Sequence, residues 1–203
     1  MSDFVNTVDA IGDEALTDQI IQRTVTEIKD DILTVVGYGG FAGSKWLTVA
    51  EMPSVTKVAD FGFFECTRLV GVKLPKATYL GSYALNGTAI KEANFPSLTT
   101  CGTDVFRQCA SLEVADLPKM QKIGERMFYL SGKIKSVILR SGTMCTLSYV
   151  NAFSGTPIAS GTGYIYVPAA LLEDYKVATN WSTYAAQFRA LEDYPDVTGG
   201  EIA

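Results

Sequence analysis

The sequence repeats itself every 21 or 22 residues, and this period constrains the fold more than any other feature of the chain. Four of the seven prolines fall at one position of the repeat, six residues after a leading aliphatic residue. Six copies can be aligned, and their leading residues are Val25, Leu47, Leu69, Ile90, Leu112 and Ile134. One copy cannot bury its own apolar face, but stacked copies can. The sequence therefore predicts an elongated solenoid of six turns.

Each copy begins with a short predicted strand. The third and fifth residues after the leading residue are apolar, and strand alternation points both to the same side. The residues at the fifth position are Met52, Leu74, Phe95, Leu117 and Leu139. We expect the proline that follows to end the strand, because it has no N–H to donate to a ladder.

Two further positions of the repeat predict how the chain turns. A glycine recurs as Gly37, Gly81, Gly102 and Gly124, with Ala59 in the second copy. We expect it to mark a tight turn where a side chain would clash or where φ is positive. Four residues later an aromatic residue is expected to fill the interior, and this position holds Phe41, Phe63, Leu85, Phe106, Phe128 and Phe153.

Small, weakly polar residues form another column, which we expect to satisfy backbone groups of the stacked turns. Its members are Ser44, Cys66, Thr88, Cys109 and Ser131. Cys66 and Cys109 are two turns apart, or roughly 9 to 10 Å at the usual strand spacing, which is too far for a disulfide. Cys101 falls in a core column and is expected to act as a small hydrophobe. Cys145 has no place in the repeat.

The repeat resembles the BspA-like leucine-rich repeat, with the pattern L-x-x-x-x-[LMF]-P-x-[VAL]-x-x-[VLI]-G-x-x-x-F-x-x-C. The copies Leu47–Cys66 and Ile90–Cys109 match best, and the resemblance extends roughly from Val25 to Phe153. It implies a right-handed, mainly β leucine-rich-repeat solenoid with short helical caps. The later stretch GTGYIYVPAALLEDYKVATNWSTYAAQF resembles C-terminal segments of repeat proteins from gut bacteria and their prophages. Together these likenesses imply adhesion at a cell or particle surface, and they bring no catalytic residues.

The chain is expected to divide into three parts, namely an N-terminal cap over 1–24, repeats over 25–157, and a C-terminal cap over 158–203. Asp13 to Arg23 is predicted to form a short helix, because Leu16, Ile20 and Ile21 share one face. Capping the solenoid is the favoured role of this helix. Transient binding to a partner is the alternative.

At the C-terminal end we expect a last strand at Tyr164–Val167 and a helix from Pro168 to about Val177. A second short helix is expected to hold Tyr184 and Phe188, capped by Asn180 or Ser182. Trp181 is expected to pack beneath these helices, with stacking on a ligand as the alternative. Residues from Pro195 to Ala203 are expected to be frayed.

Composition argues against most catalytic functions. The chain has no histidine, which excludes Ser-His-Asp and Cys-His mechanisms and most zinc sites. Its four cysteines form no C-x-x-C pair, and its net charge of -5 disfavours nucleic acid as a partner. No apolar run is long enough for a membrane-spanning helix. We therefore expect no cofactor, no metal and no enzymatic activity.

The outward side of the main sheet is the candidate interaction face. The second and fourth residues after each leading residue point away from the core. The polar residues among them are Glu51, Lys73, Glu92, Asn94, Asp116 and Ser136. We expect this ladder of mixed charge to bind a protein strand or a polar polymer, and a plain solvated face is the alternative.

Three functions follow from these features. The first is a non-catalytic adhesion or binding protein on a bacterial surface, with a protein or polysaccharide partner. The second is a structural or receptor-binding component of a phage or prophage virion, which the acidic N-terminus favours because it lacks a signal-peptide pattern. That same N-terminus leaves a cytoplasmic location as an alternative. The third is a carbohydrate-active enzyme, which is disfavoured because the neighbouring acids of the sequence do not face each other across a cleft.

Overall fold

Each turn of the chain contributes one three-residue strand and one two-residue strand to a coil of parallel sheets. The computed structural model describes the backbone of residues 10–11 and residues 25–198, and the expected helix at Asp13–Arg23 lies outside this part. The three-residue strands form the front of the solenoid: β2 (Glu27–Lys29), β4 (Val49–Glu51), β6 (Gly71–Lys73), β8 (Glu92–Asn94), β10 (Val114–Asp116) and β12 (Ser136–Ile138).

The two-residue strands form a continuous seven-stranded back sheet. They are β1 (Ala10–Ile11), β3 (Val35–Val36), β5 (Lys57–Val58), β7 (Tyr79–Leu80), β9 (Thr100–Cys101), β11 (Lys122–Ile123) and β13 (Thr146–Leu147). Pairing is parallel, and partners are one repeat apart, as in Val58 with Leu80. This is the register that stacked copies of one sequence require.

The predicted core register is confirmed. The five apolar residues that stand fifth after the leading residue of their repeats are at most 1% exposed. The aromatic column is buried and stacked, with ring centroids 5.1 Å apart for Phe41 and Phe63 and 5.6 Å apart for Phe106 and Phe128. Leu85 interrupts the column, and Phe95 packs against Phe106 from the front strand at 5.7 Å. The solenoid is therefore held together by one apolar interior that runs through every repeat.

The recurring glycine is required by the closeness of the turns. A Cβ atom on Gly81 would lie 2.4 Å from the backbone nitrogen of Asp60, and one on Gly102 would lie 2.5 Å from that of Ser82. Positive φ angles occur instead two and six residues further on. These columns, with φ between 50° and 70°, are Gly39, Phe61, Tyr83, Asp104 and Arg126, then Gly43, Glu65, Gly87, Gln108 and Leu130. Of the two reasons proposed for the glycine, the clash is correct and the positive φ is wrong.

Three of the five residues in the small-residue column bond the turns to one another, as the sequence predicts, whereas Thr88 donates to the Leu85 carbonyl of its own turn and the Ser44 hydroxyl has no partner within the described residues. The Cys66 thiol donates to the Phe41 carbonyl at 2.9 Å, and the Ser131 hydroxyl donates to the Phe106 carbonyl at 2.6 Å. Cys109 lies 3.1 Å from the Leu85 carbonyl in the same way. Each contact joins one turn to the aromatic column of the turn before it.

All four cysteines are free thiols whose pKa is raised by burial. The pKa is about 12 for Cys66 and Cys145 and about 11 for Cys101 and Cys109. Since only the thiolate reacts, we expect iodoacetamide at pH 8 to label the native protein about a hundredfold more slowly than the urea-unfolded chain. Mass spectrometry of timed samples measures this. Native labelling of Cys66, Cys109 or Cys145 at its unfolded rate would contradict its buried placement.

The C-terminal segment closes the solenoid with two more strands and short helices. Strand β14 (Tyr164–Val167) is present as predicted and pairs with β12, and β15 (Phe188–Ala190) then pairs with β14. The expected helix is present as a 3₁₀ turn at Ala169–Leu171 and an α-helix at Leu172–Val177. A 3₁₀ helix follows at Trp181–Gln187.

Three expectations for this segment are wrong. Phe188 lies in the edge strand instead of the second helix, because its backbone pairs with Ile165. Asn180 occupies the N-cap position of that helix but makes no side-chain capping bond, since its amide donates to the carbonyls of Leu147 and Ser148. Pro195–Thr198 is helical instead of frayed, and residues 199–203 lie outside the described part.

Trp181 packs beneath the cap and is 1% exposed, as predicted. Its indole N–H donates to the Cys145 carbonyl at 2.7 Å, and the Cys145 N–H donates to the Tyr175 hydroxyl at 2.7 Å. Cys145 thus has a role that the repeat pattern did not reveal. Together with Leu147 and Ser148, it is a backbone point at which the cap is hydrogen-bonded to the last turn.

Candidate binding surface on the front sheet

The N-terminal part of the predicted face carries an exposed ion pair. The Nζ atom of Lys73 lies 2.7 Å from Oε1 of Glu51, one turn away on the neighbouring strand. The hydrogen bond to Lys73 lowers the pKa of Glu51. This pair is formed by cross-strand neighbours, and both residues point outward as the strand alternation predicts.

The middle of the face is a shallow depression of about 540 Å³ that brings together Glu92, Asn94 and Asp116. Arg140 lies at its edge and donates to both carboxylate oxygens of Asp116, with its closest nitrogen at 2.7 Å. Val197, from the C-terminal helix, lines the side of this depression. The depression therefore offers polar groups of both signs beside an apolar edge.

Ser136 was predicted to belong to the interaction face, but the structure buries it. It is 9% exposed, and its hydroxyl is hydrogen-bonded to Tyr166 on the neighbouring strand. Tyr166 belongs to a small outer cluster with Ile138 and Leu191, which covers this end of the front sheet. The outward direction of Ser136 was predicted correctly, but the C-terminal segment packs over it and takes it out of the candidate surface.

The front sheet is divided between its third and fourth strands. It consists of a three-stranded part that ends at β6 and a five-stranded part that begins at β8. Elsewhere an N–H at the end of each front strand donates to the next turn, as Met52 does to Lys73 at 3.0 Å and Leu117 to Ile138 at 2.9 Å. The equivalent bond from Leu74 to Asn94 is missing from the described structure, although the back sheet stays paired at the same level.

A difference of one residue explains this division. Two residues separate the small-residue column from the leading aliphatic residue in the neighbouring turns, as in Thr67-Arg68 and Ala110-Ser111. Between Thr88 and Ile90 there is Ala89 alone. The shortened connection lies directly before β8, which does not pair with β6, while the back strands of the same two turns stay paired.

The opening between the two parts of the front sheet, which we call the strand gap, has a volume of about 500 Å³. Its residues come from both strand edges: Val70, Gly71, Val72, Lys73, Leu74 and Pro75 on one side, and Lys91, Glu92, Asn94 and Pro96 on the other. Val72 is only partly buried, whereas the matching residues of the other described repeats, such as Ala50 and Ala93, are at most 7% exposed. The strand gap therefore reaches down to the apolar core.

Glu92 and Asn94 line both the strand gap and the central depression, so the two form one concave surface. The period of the sequence contained the signal for the strand gap, since the copy at Ile90 begins 21 residues after Leu69 instead of 22. Of the six predicted residues, Glu92, Asn94 and Asp116 lie together on this surface. Lys73 lies at its margin with its partner Glu51.

Other chemistry is sparse in the described part of the chain. No three of the cysteine, aspartate and glutamate side chains in this part lie close enough to hold a metal ion together. Nor does any helix within these residues have the length and apolarity to cross a membrane.

Solved structures with similar folds include leucine-rich repeat proteins of bacteria. The T. pallidum leucine-rich repeat protein TpLRR is 27% identical with a TM-score of 0.52, over 57% of this chain and 56% of that one. The pneumococcal vaccine antigen PcpA is 13% identical with a TM-score of 0.60, over 82% and 40% of the two chains. A leucine-rich repeat protein from Bacteroides ovatus ATCC 8483 is 19% identical with a TM-score of 0.47, over 67% and 43%. The chain thus spans 40 to 56% of the length of these proteins.

Comparison with curated proteins gave no significant match. The family comparison is more informative, because residues 34–159 match the BspA type leucine rich repeat region in six copies. This match covers more than half of the chain and coincides with the stacked turns of the structure. The chain therefore belongs to the BspA-type leucine-rich repeat family.

Proposed function

We propose that the protein is a non-catalytic binding module that holds a macromolecular partner, a protein or a polysaccharide, on its front sheet. The observation that carries this proposal is the single concave surface formed by the strand gap and the central depression, with Glu92 and Asn94 at its centre. Both side chains are exposed, and they stand on rigid strands whose register is set by the stacked core. Such a surface recognises a ligand without needing to change shape.

The chemistry of the remaining residues supports binding over catalysis. The sequence contains no histidine, and the four thiols have a raised pKa, which keeps them protonated at neutral pH. Asp116 and Asp104 are each held by an arginine, Arg140 and Arg126 respectively, at 2.7 Å. These groups are occupied in structural roles and are poorly suited to proton transfer or nucleophilic attack.

A location on a bacterial surface is part of the proposal, and the family resemblance supports it. Immunogold labelling of producing cells tests this part. Label at the envelope would agree with it, and label confined to the cytosol would contradict it.

Asn94→Arg tests the binding surface, because it places a long charged side chain where the strand gap and the central depression meet. Ligands are first selected for the wild-type protein from a glycan array and a displayed random-peptide library. We expect the variant to bind them at least about tenfold more weakly, which corresponds to about 1.4 kcal/mol. Its melting temperature should not change, since Asn94 is exposed.

Gln121→Arg is the matched control, since Gln121 is also an exposed amide but follows the front strand toward the back sheet. This variant should bind as the wild type does. Ligands that bind both variants equally well would show that the front sheet is not the binding surface. Failure of both probes to yield any ligand would also contradict the proposal.

A further inference from the structure

We propose that the strand gap receives an extended segment of a partner protein, which pairs with the free edge of β6 as an additional β-strand. This inference rests on the proposed function and names the class of partner. Its argument comes from the backbone of the two strand edges, from the shape of the strand gap and from the charges beside it.

The backbone of β6 presents hydrogen-bonding groups that the fold does not use. In the neighbouring turn, the Thr48 carbonyl accepts a bond from the N–H of Gly71 at 3.1 Å, and the Met52 N–H donates to Lys73. By strand alternation, the equivalent groups on β6 are the Val70 carbonyl, the N–H and carbonyl of Val72, and the Leu74 N–H. Within the described residues these groups have no partner across the strand gap. Their natural complement is the backbone of another extended chain.

The shape of the strand gap suits such an occupant. Gly71 has an ordinary strand conformation, and a Cβ atom there would come no closer than 3.6 Å to Val49, so neither φ nor packing requires a glycine. Glycine inside a strand often marks a place where another backbone approaches closely. Val72 forms a partly exposed apolar floor, and Val70, which is 52% exposed, forms an apolar margin. Both can bury side chains of an inserted strand.

The charges at the strand gap favour a segment that carries a carboxylate. Lys73 and Lys91 stand on opposite sides of the strand gap, and Glu92 is the acidic residue that lines it. Lys73 is paired with Glu51, whereas Lys91 makes no ion pair within the described residues. An acidic side chain on the partner would be attracted to Lys91, while a basic one would meet like charge there.

A phage-displayed library of random dodecapeptides is the probe for this inference. The wild-type protein should enrich acidic peptides that bind Gly71→Val at least tenfold more weakly, because the added side chain would stand on the outward face at the rim of the strand gap, where an inserted strand must enter. Gly132→Val is the matched control: Gly132 is exposed, has open space around it and is not in the positive φ range. This control should bind the peptides as the wild type does.

Lys91→Glu gives an independent readout if the valine variant fails to fold. Lys91 is exposed, so the substitution should leave folding intact while weakening the same acidic peptides at least tenfold. If the library yields no peptide that binds the wild type more tightly than Gly71→Val and Lys91→Glu, the inference is overturned.

Backbone pairing is tested directly by hydrogen exchange and N-methylation. Bound peptide should slow the exchange of the Val72 and Leu74 amides at least tenfold. Methylating alternate backbone nitrogens of the peptide should weaken binding at least tenfold, because a methylated nitrogen cannot donate. Peptides that bind without either effect would show that side chains alone are recognised, which would overturn strand pairing.

The outcomes also separate this inference from the proposed function. Ligands that are sensitive to Asn94→Arg but not to Gly71→Val would keep the front sheet as the binding surface and overturn the role of the strand gap. Sedimentation analysis tests the other possible occupant of the strand gap, which is a second copy of this chain. If the wild type is a dimer and Gly71→Val is a monomer, the occupant of the strand gap is a second copy of this chain, and the proposal of a separate partner protein is overturned.

Discussion

Replacing Phe106 with alanine should lower the free energy of unfolding by about 3 to 5 kcal/mol. The Phe106 ring is fully buried at the middle of the solenoid. It stacks on Phe128 with centroids 5.6 Å apart and contacts Phe95 at 5.7 Å, so its removal leaves a cavity between adjacent turns. Because each turn is stabilised mainly by its neighbours, this cavity weakens the interface on both sides of the fourth turn. Urea unfolding followed by circular dichroism measures the loss.

Phe106→Leu provides the graded control. Leucine is the natural residue at the matching position of the preceding turn, where Leu85 is fully buried. This variant should therefore lose distinctly less stability than the alanine variant, since most of the interior volume stays filled. A loss below about 1 kcal/mol for Phe106→Ala would show that the aromatic column does not occupy the core.

The core could be predicted from the sequence because the same pattern of apolar residues occurs in every repeat. A single Phe106 is ambiguous, but Phe41, Phe63 and Phe128 at the same position restrict it to the interior. The same logic placed Cys66 and Cys109 on the turn backbone. Repetition averages out the irregularities of individual turns, and nearest-neighbour stacking then converts a sequence position directly into a spatial column.

The strand gap could not be predicted from the same pattern. The spacing of 21 residues before Ile90 was visible, but its effect depends on whether the chain absorbs the missing residue in a turn or in a strand. The structure shows that the back sheet keeps its pairing at Leu80 and Cys101 while the front sheet loses it. Sequence alignment alone does not distinguish these two responses.

The cover over Ser136 was missed for a different reason. Ser136 obeys the outward direction of its column, and the residues that cover it, Tyr166 and Leu191, lie outside the repeat. Their packing depends on how the C-terminal segment returns over the sheet. In a repeat protein the ends are the least predictable part, because their contacts occur once and have no column to support them.

Replacing Trp181 with alanine should destabilise the protein by an amount comparable to Phe106→Ala, about 3 to 5 kcal/mol. The Trp181 ring is 1% exposed and packs against Phe153 at 6.0 Å and Phe188 at 5.6 Å. Its loss would open a cavity at the end of the aromatic column. It would also leave the Cys145 carbonyl without the donor that now lies at 2.7 Å. Because a solenoid needs a capped end, hydrogen exchange should accelerate most in β13 and β14.

Two further variants separate the causes of that loss. Trp181→Phe keeps an aromatic ring but removes the N–H, so it should cost about 1 to 3 kcal/mol for the unsatisfied carbonyl of Cys145. Trp46→Ala removes the other tryptophan, which is 46% exposed and contacts the Arg68 guanidinium at 4.4 Å. That change should cost about 1 kcal/mol or less, as expected for an exposed cation–π contact. If Trp181→Ala proved no more damaging than Trp46→Ala in urea, the C-terminal segment would not be the element that closes the solenoid.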